Sequence, residues 1–575
     1  MTIRPLIDAY ASGDSTPTEV VRAILAHLDT HEGIWISRFS DSQILARAAE
    51  LAKTGPAGRP LYGIPFAVKD NIDVAGLPTT AACPEFRYEP EDNAPVVQRL
   101  LDAGAICIGK TNLDQFATGL VGVRSPYGVP ENPFGRDFIP GGSSSGSAVA
   151  VARGLVVFAL GTDTAGSGRV PAAFNNLFGW KPTRGLLSTR GVVPACRSLD
   201  CVSVFANSAD DLQRISRVVA EFDPEDPFAR DLPLHPRRAA QIVGIPRADQ
   251  LEFFGDEGYA ACWKEAVNAL TARGLTVVEV DFSPFFEAAK LLYEGPWVAE
   301  RYLATRKLLD SNPDALLPVT RAIIENGRSG SAADAFAAQY RLADLKRRSE
   351  AVWKKVNVLC TPTAGTIYSR SEIELNPIQL NSLLGTYTNF MNLLDLCGVA
   401  LPAGLRPDGM PFGITLAAPA FDDLTLLALA GATPDTTGTI EIAVCGAHMS
   451  GLPLNHQLTS RQGELVRTAK TAPVYRMFAL DEKRPGLVRC ADGGAAIDIE
   501  IWRIPLSSAG SFLAGIPAPL GLGRVQIDDG SEVCGFVCES CATAGKPDIT
   551  AHGGWRAWLV ERDQWRSVPS HPAGP

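Results

Sequence analysis

From Gly141 to Ala173 the chain reads GGSSSGSAVAVARGLVVFALGTDTAGSGRVPAA, which sets Ser143, Ser144, Ser145, Ser147 and Ser167 among glycines. No histidine lies between Glu32 and Leu234. A serine hydroxyl is a weak nucleophile until a neighbour takes its proton. Any fold that uses one of these serines must therefore bring a base other than histidine to it. Glycine and serine clusters also build ordinary turns, and a phosphate loop would end in G-K-[ST], which is missing here. Gly142, Ser144 and Gly146 match the G-x-S-x-G elbow, but that elbow needs a downstream histidine. The first one is His235, in the loop-like context Asp-Leu-Pro-Leu-His-Pro.

The chain has 575 residues, enough for two domains and a large core. From Met1 to about Ala432, helical patterns such as VVRAILAHL and TLLALAGA alternate with short apolar runs such as AICIGK, VVFALG, QIVGIP, LTVVEVDF and VNVLCTPT. Strands with helices between them predict an α/β domain over 1–432, a mixed sheet covered by helices. TPTE, Thr16 to Glu19, predicts a helix start with Pro17 at its first position. The turn-rich TPDTTGT predicts a linker over 433–439. Beyond it IEIAVCG, VYRMFAL, AAIDIEIWRIP, GRVQIDDG and WRAWLVER read as short strands. They predict a smaller β-rich domain over 440–562, with 563–575 a frayed tail.

The formal charge of −10 argues against nucleic acid or an anionic membrane as the main partner, while leaving room for a small anion in a locally basic pocket. Arg153 interrupts the best apolar run before it reaches membrane length. The N-terminus lacks a secretory pattern, which predicts a cytoplasmic location and reduced thiols for the 12 cysteines.

Three further motifs decide between the readings. Gly63-Ile64-Pro65-Phe66-Ala67-Val68-Lys69-Asp70-Asn71 lies upstream of the serines, with Asn112-Leu113-Asp114-Gln115-Phe116 between them and Lys181-Pro182-Thr183-Arg184-Gly185 after them. Ser143 and Ser167 are 167 − 143 = 24 positions apart. With that order and spacing the chain resembles the amidase signature family, over about 60–200 closely and over the whole first domain more loosely. The resemblance makes Lys69 the base, Ser143 a relay carried on a cis peptide, and Ser167 the nucleophile. An ammonium cannot take a proton, so Lys69 must be desolvated or lie beside other cations to be neutral near pH 7. The glycines around Ser167 free the backbone N–H groups of Thr164, Ala165, Gly166 and Ser167 to form an oxyanion hole, where each donor is worth about 3–4 kcal/mol. The competing reading of Lys69 is a plain salt bridge to Asp70 or Asp114.

Within the family, GTDTAGSGRVPA, GLLSTRGVVPACRSLDCVSVFA and NLDQFATGLVGVRSPYG resemble the allophanate hydrolases. That resemblance implies a small anionic substrate, allophanate, no cofactor and no metal. Tyr293, just before a helix opened by Pro296, and Arg301, on a later turn of it, would grip its carboxylate, with Gly142 a further substrate contact. It also implies a homodimer, and a urea carboxylase or a biuret- or cyanurate-pathway enzyme as the source of substrate. The rivals within the family are the broad-specificity amidases and the tRNA-dependent amidotransferases, and for the latter nothing basic in this chain suggests tRNA contact. GAHMSGLPLNHQL, Gly446 to Leu458, resembles the second domain of the allophanate hydrolases, whose fold is like that of γ-glutamyl cyclotransferases and which removes carbon dioxide from N-carboxycarbamate. His448 is the candidate there and His456 the weaker one, with an ordinary loop histidine as the alternative for both. Cys534, Cys538 and Cys541 suggest zinc, but a structural site needs a fourth ligand such as the distant His552, and alternate cysteines of a buried strand give the same spacing.

Overall fold

A computed structural model of the chain describes residues 1–28, 32–232, 234–235, 240–431, 439–459, 461, 463–505, 509, 512–513 and 515–566. The chain divides into two compact units, Met1–Pro434 and Asp435–Pro575. Apart from Thr439 the expected linker lies outside the described residues, as do residues 567–575 of the expected tail.

The first unit is built on an 11-stranded mixed sheet. Its strands are β1 (Trp35–Arg38), β2 (Pro65–Lys69), β3 (Ile106–Thr111), β4 (Phe158–Asp163), β5 (Phe178–Lys181) and β6 (Cys201–Ala206). They are followed by β7 (Ile242–Pro246), β8 (Thr276–Val280), β9 (Val358–Pro362), β10 (Leu396–Leu405) and β11 (Pro411–Pro419). Their order is β1-β3-β2-β4-β6-β5-β10-β11-β9-β7-β8. Every residue of β2, β3, β4 and β6 is buried. These strands read as continuous apolar runs because helices cover both faces of the sheet. Helix α1 (Pro17–Leu28) starts where expected: Thr16 and Glu19 bond each other's backbone and side chain, and Val21, Ile24 and Leu28 are buried.

The placement of β2 beside β4 matters most for chemistry. They run parallel, with Phe66 opposite Phe158 and Val68 opposite Leu160, so their C-terminal ends open at one edge. Helix α2 (Ser145–Ala152) begins after the GGSS run, and helix α3 (Val170–Phe174) follows the GTDTAGSG loop. Residues beyond parallel strand ends are where α/β sheets place their sites. The region expected around Pro296 differs in detail. Tyr293 lies in the last turn of α4 (Ser283–Glu294), the chain breaks over Gly295–Trp297, and Arg301 lies in α5 (Val298–Ser311). Pro296 thus occupies the joint between two helices.

The second unit carries β12 (Thr439–Val444), β13 (Glu464–Lys470), β14 (Tyr475–Ala479), β15 (Pro485–Arg489), β16 (Asp498–Pro505), β17 (Leu520–Gln526) and β18 (Glu532–Cys538). Five of them form a sheet in the order β13-β16-β12-β18-β17, and β14 pairs with β15. WRAWLVER, expected as a strand, is instead the start of α6 (Trp555–Arg566). Trp555 and Trp558, three apart, stack at 4.6 Å on one helical face. The expected tail consequently begins inside this helix.

The stacked Phe66 and Phe158, 5.2 Å apart and both fully buried, join the two strands that carry the site. Phe158→Ala is expected to cost the first unit about 3–5 kcal/mol. Denaturant unfolding followed by the fluorescence of the buried Trp180 tests this, and a cost below about 1 kcal/mol would contradict the packing.

Candidate active site

Lys69 ends β2 with its side chain fully buried. Its Nζ lies 2.7 Å from Ser143 Oγ and 2.7 Å from Thr162 Oγ1. No carboxylate is within hydrogen-bonding distance of it among the described residues. Asp70, the simplest partner by sequence, pairs instead with Lys110 at 3.3 Å and accepts from the Thr80 backbone at 2.9 Å. Asp114 accepts from the Gly122 and Arg124 backbones, both at 2.9 Å. Burial pushes the Lys69 ammonium down to about 7; Asp114, Asp200 and Asp163 pull it back up, and Arg301 adds to the downward shift. A lysine held there is half neutral near neutral pH, the state a base requires.

Ser143 follows a cis Gly142–Ser143 peptide. Its carbonyl accepts from Asp114 N at 3.0 Å, and Gly142 N donates to Leu120 O at 2.8 Å. A Cβ at position 142 would meet Asp114 Oδ2 at 2.1 Å, so only glycine fits. With its N–H committed, Gly142 has only its carbonyl for a substrate.

The nucleophile candidate sits in a clamped loop. Asp163, at the end of β4, accepts from Gly166 N at 2.8 Å, Gly168 N at 3.1 Å and Arg169 Nε at 2.8 Å. Burial pulls its carboxyl up, but Arg169, Lys181 and the Gly166 N–H together bring it below its ordinary value. Gly166 N–H is therefore spent on Asp163 and is withdrawn from the expected oxyanion hole. The N–H groups of Thr164, Ala165 and Ser167 have no partner among the described residues, and neither does Ser167 Oγ. Ser167 is 4% exposed. The bond from Lys69 to Ser143 is thus in place, while the bond from Ser143 to Ser167 is not made; such contacts often tighten only when substrate binds.

Asp200, Asp163, Thr162 and Arg169 do not stand out in the sequence. Asp200 accepts from Thr164 Oγ1 at 2.5 Å, Ala195 N at 2.9 Å and Cys196 N at 3.1 Å. Burial pushes its carboxyl up to about 6 against those bonds. It floors a cleft of about 300 Å³ lined also by Thr189, Arg190, Val192, Pro194 and Arg197. Arg301 is buried; its Nη1 donates to Ala117 O and Thr118 Oγ1, each at 3.1 Å. Tyr293 and Asp200 lie within its electrostatic reach. The arrangement offers a desolvated amine base, a hydroxyl relay, a serine among free N–H groups and a buried guanidinium.

The Amidase family profile matches residues 19–427, more than half the chain. The chain belongs to the amidase family. A second profile, the allophanate hydrolase C-terminal domain, matches residues 440–560. The chain is 41% identical to the urea amidolyase of Saccharomyces cerevisiae, over 97% of this chain and 33% of that one. It spans about a third of the length of the curated urea amidolyases it matches. Among solved structures, the allophanate hydrolase of Kluyveromyces lactis is 40% identical with a TM-score of 0.71, covering 98% of this chain and 99% of that one. The A-type component of the glutamyl-tRNA(Gln) amidotransferase of Chloroflexus aggregans is 33% identical, covering 74% of this chain and 94% of that one.

In this amidase the second unit has a polar cluster of its own. His448 is half-buried, stacked on Phe536 with ring centroids 4.9 Å apart, and its Nε2 meets Gln457 Oε1 at 3.0 Å. Burial lowers its pKa and so favours the neutral ring. Its loop is held by the buried Glu500, which accepts from Ser450 N at 2.7 Å. His456 is exposed, with Nδ1 2.8 Å from Pro453 O, and is spent on its own turn. No group of three His, Cys, Asp or Glu side chains among the described residues is placed to hold a metal ion.

A Lys69 base would make serine reactivity depend on pH. Below about 7 it is protonated and cannot take a proton from Ser143; above about 7 it can. Labelling by a neutral organophosphorus serine reagent is expected to rise as pH climbs to about 7 and then to level off. Lys69→Arg, which stays charged, should lose labelling throughout. A rate that is flat from about pH 5 to about pH 9 would contradict the lysine base.

Proposed function

We propose that the chain hydrolyses allophanate, releasing ammonia through Ser167, Ser143 and Lys69. The observation that carries this is the fully buried Lys69 amine, 2.7 Å from Ser143 Oγ and with no carboxylate bonded to it among the described residues. Neutral Lys69 accepts the Ser143 proton as Ser143 accepts that of Ser167. Ser167 Oγ then attacks the terminal amide carbonyl of allophanate, which is urea carrying a carboxylate on its second nitrogen. The oxyanion forms against the N–H groups of Thr164, Ala165 and Ser167. The proton returns through Ser143 to the departing nitrogen, which leaves as ammonia. Water, deprotonated by the same relay, opens the acyl-enzyme and leaves N-carboxycarbamate, a single nitrogen bearing two carboxylates. Arg301 and Tyr293 hold the substrate carboxylate, and the planar fork of Arg301 matches it.

We assign loss of carbon dioxide from N-carboxycarbamate to the second unit, with His448 the proton donor or acceptor. A homodimer, a cytoplasmic setting and supply of allophanate by a urea carboxylase or by a biuret- or cyanurate-pathway enzyme belong to the same proposal. Among the described residues no helix is long and apolar enough to cross a membrane.

Ammonia release should be compared across allophanate, biuret, malonamate and glutamine without added protein. Allophanate is expected to lead; activity on glutamine only when charged tRNA is present would favour the amidotransferase reading instead. Ser167→Ala should lower ammonia release by at least about a thousandfold, and chelators should leave it intact. Arg301→Lys keeps the charge and loses the fork, so KM for allophanate should rise relative to that of a neutral amide.

The assignment of the second unit is tested by early time points. A chain ending at Ala432 should still release one ammonia per allophanate, with carbon dioxide appearing later than from the intact chain. His448→Ala in the intact chain should show the same delay. Equal early carbon dioxide from all three would remove the catalytic role of the second unit.

A further inference from the structure

Arg124 is 5% exposed and lies in a segment that the proposed mechanism leaves unused. It ties down the turn Gln115–Thr118 in three ways. Its N–H donates to Asp114 Oδ1 at 2.9 Å, its carbonyl accepts from Gln115 N at 2.7 Å, and its Nη1 donates to Thr118 O at 2.8 Å. That turn needs such support, because Phe116 and Ala117 both have left-handed backbone, with φ of 52° and 53°. The far side of the same turn carries Arg301, which donates to Ala117 O and to Thr118 Oγ1. Two guanidiniums thus share Thr118, Arg124 on the carbonyl and Arg301 on the hydroxyl.

The charges point the same way. Arg124 is within electrostatic reach of Asp114, Tyr293 and Arg301. Asp114 is occupied by the Gly122 and Arg124 backbones, and Nη2 of Arg124 goes to a carbonyl, that of Pro377, at 2.5 Å. Its Nε is buried without a partner among the described residues. Two buried cations that share one anchor repel each other, and a protein that only needed a stable turn could support it with neutral groups. Asp114 beside Arg124 and Asp200 near Arg301 offset part of that repulsion, and an anionic ligand would offset more of it.

We propose that Arg124 is a positioning and specificity-determining residue for a small carboxylate: it fixes the Thr118 anchor from which Arg301 reaches the ligand and adds a second positive charge to that pocket. This rests on the reading of Arg301 as the carboxylate contact. Arg124 acts through Arg301 and through its field, and takes no part in the proton relay.

The test uses the full chain and two probes. A neutral organophosphorus serine reagent reports on the serine and lysine machinery; malonate, the methylene analogue of N-carboxycarbamate, reports on the carboxylate pocket by protecting against that reagent. Arg124→Gln is expected to raise the half-protecting malonate concentration about tenfold relative to the labelling rate measured without malonate. Arg124→Lys should recover part of it. If Arg124→Gln fails to fold, Thr118→Ala removes only the anchoring hydroxyl and methyl and should weaken protection about threefold. Protection within about twofold of the parent, or a loss no larger than the loss of labelling itself, overturns the inference. Arg301→Gln separates the two layers. If malonate still protects that variant, the carboxylate reading fails and Arg124 falls with it; if protection is lost there but persists in Arg124→Gln and Thr118→Ala, only the inference about Arg124 falls.

Discussion

A lysine amine buried without a counter-ion governs the architecture of the first unit. An ammonium in that position costs several kcal/mol of desolvation unless it is paired. The chain withholds pairing. Each nearby acid is given to another partner: Asp70 to Lys110, Asp163 to Arg169, and Asp114 and Asp200 to backbone N–H groups and, for Asp200, the Thr164 hydroxyl. Lys69 therefore meets two hydroxyls in place of a carboxylate, and the burden falls on the proton. The parallel pairing of β2 with β4 makes this possible, since it puts Lys69 and Thr162 at adjacent strand ends with Phe66 and Phe158 sealing the layer beneath.

The same economy shapes the loop bearing Ser167. A free N–H invites either water or a protein acceptor, so leaving three of them unspent requires the backbone to be held elsewhere. Asp163 does this by taking the N–H groups of Gly166 and Gly168 and the guanidinium of Arg169. Gly166 has φ of 133°, and a Cβ there would meet Thr388 Oγ1 at 2.4 Å. The glycine thus serves the clamp, and the N–H groups of its neighbours stay unspent among the described residues.

Much of this was legible in the sequence, and the reasons for what was not are physical. Lys69, Ser143 and Ser167 could be read because motif order and spacing are covalent facts. The strand sites AICIGK and VVFALG were legible because a sheet buried on both faces leaves an unbroken apolar run. The use of Gly166 was hidden, because which of four consecutive N–H groups is spent depends on where Asp163 points. Asp200 was hidden for a similar reason: its partners at 164 and at 195–196 meet only after the sheet closes. WRAWLVER misled because a short apolar run does not separate strand from helix, although its tryptophans three apart share a helix face. Gly142 was expected as a substrate contact, and the close approach of Asp114 supplies a second, sufficient reason for a glycine there.

The charge inside the pocket and the basicity of Lys69 belong to one balance. Arg301 adds to the forces that lower Lys69, and Asp200 and Asp114 oppose them. Burial, with a smaller push from Arg301, favours the neutral lysine, which prepares it to accept a proton but also makes it a weaker base. Under the proposed seating of an anionic substrate on Arg301, part of that field is cancelled and the pKa of the amine rises. A neutral amide leaves the field in place and gains nothing. On that proposal recognition of the carboxylate also tunes the base: the neutral amine becomes a stronger base while a smaller share of it is neutral at a given pH, so anionic and neutral amides differ in the chemical step as well as in binding. The buried guanidinium and the buried amine, on different elements and coupled through the field of the first on the second, are in this sense one device.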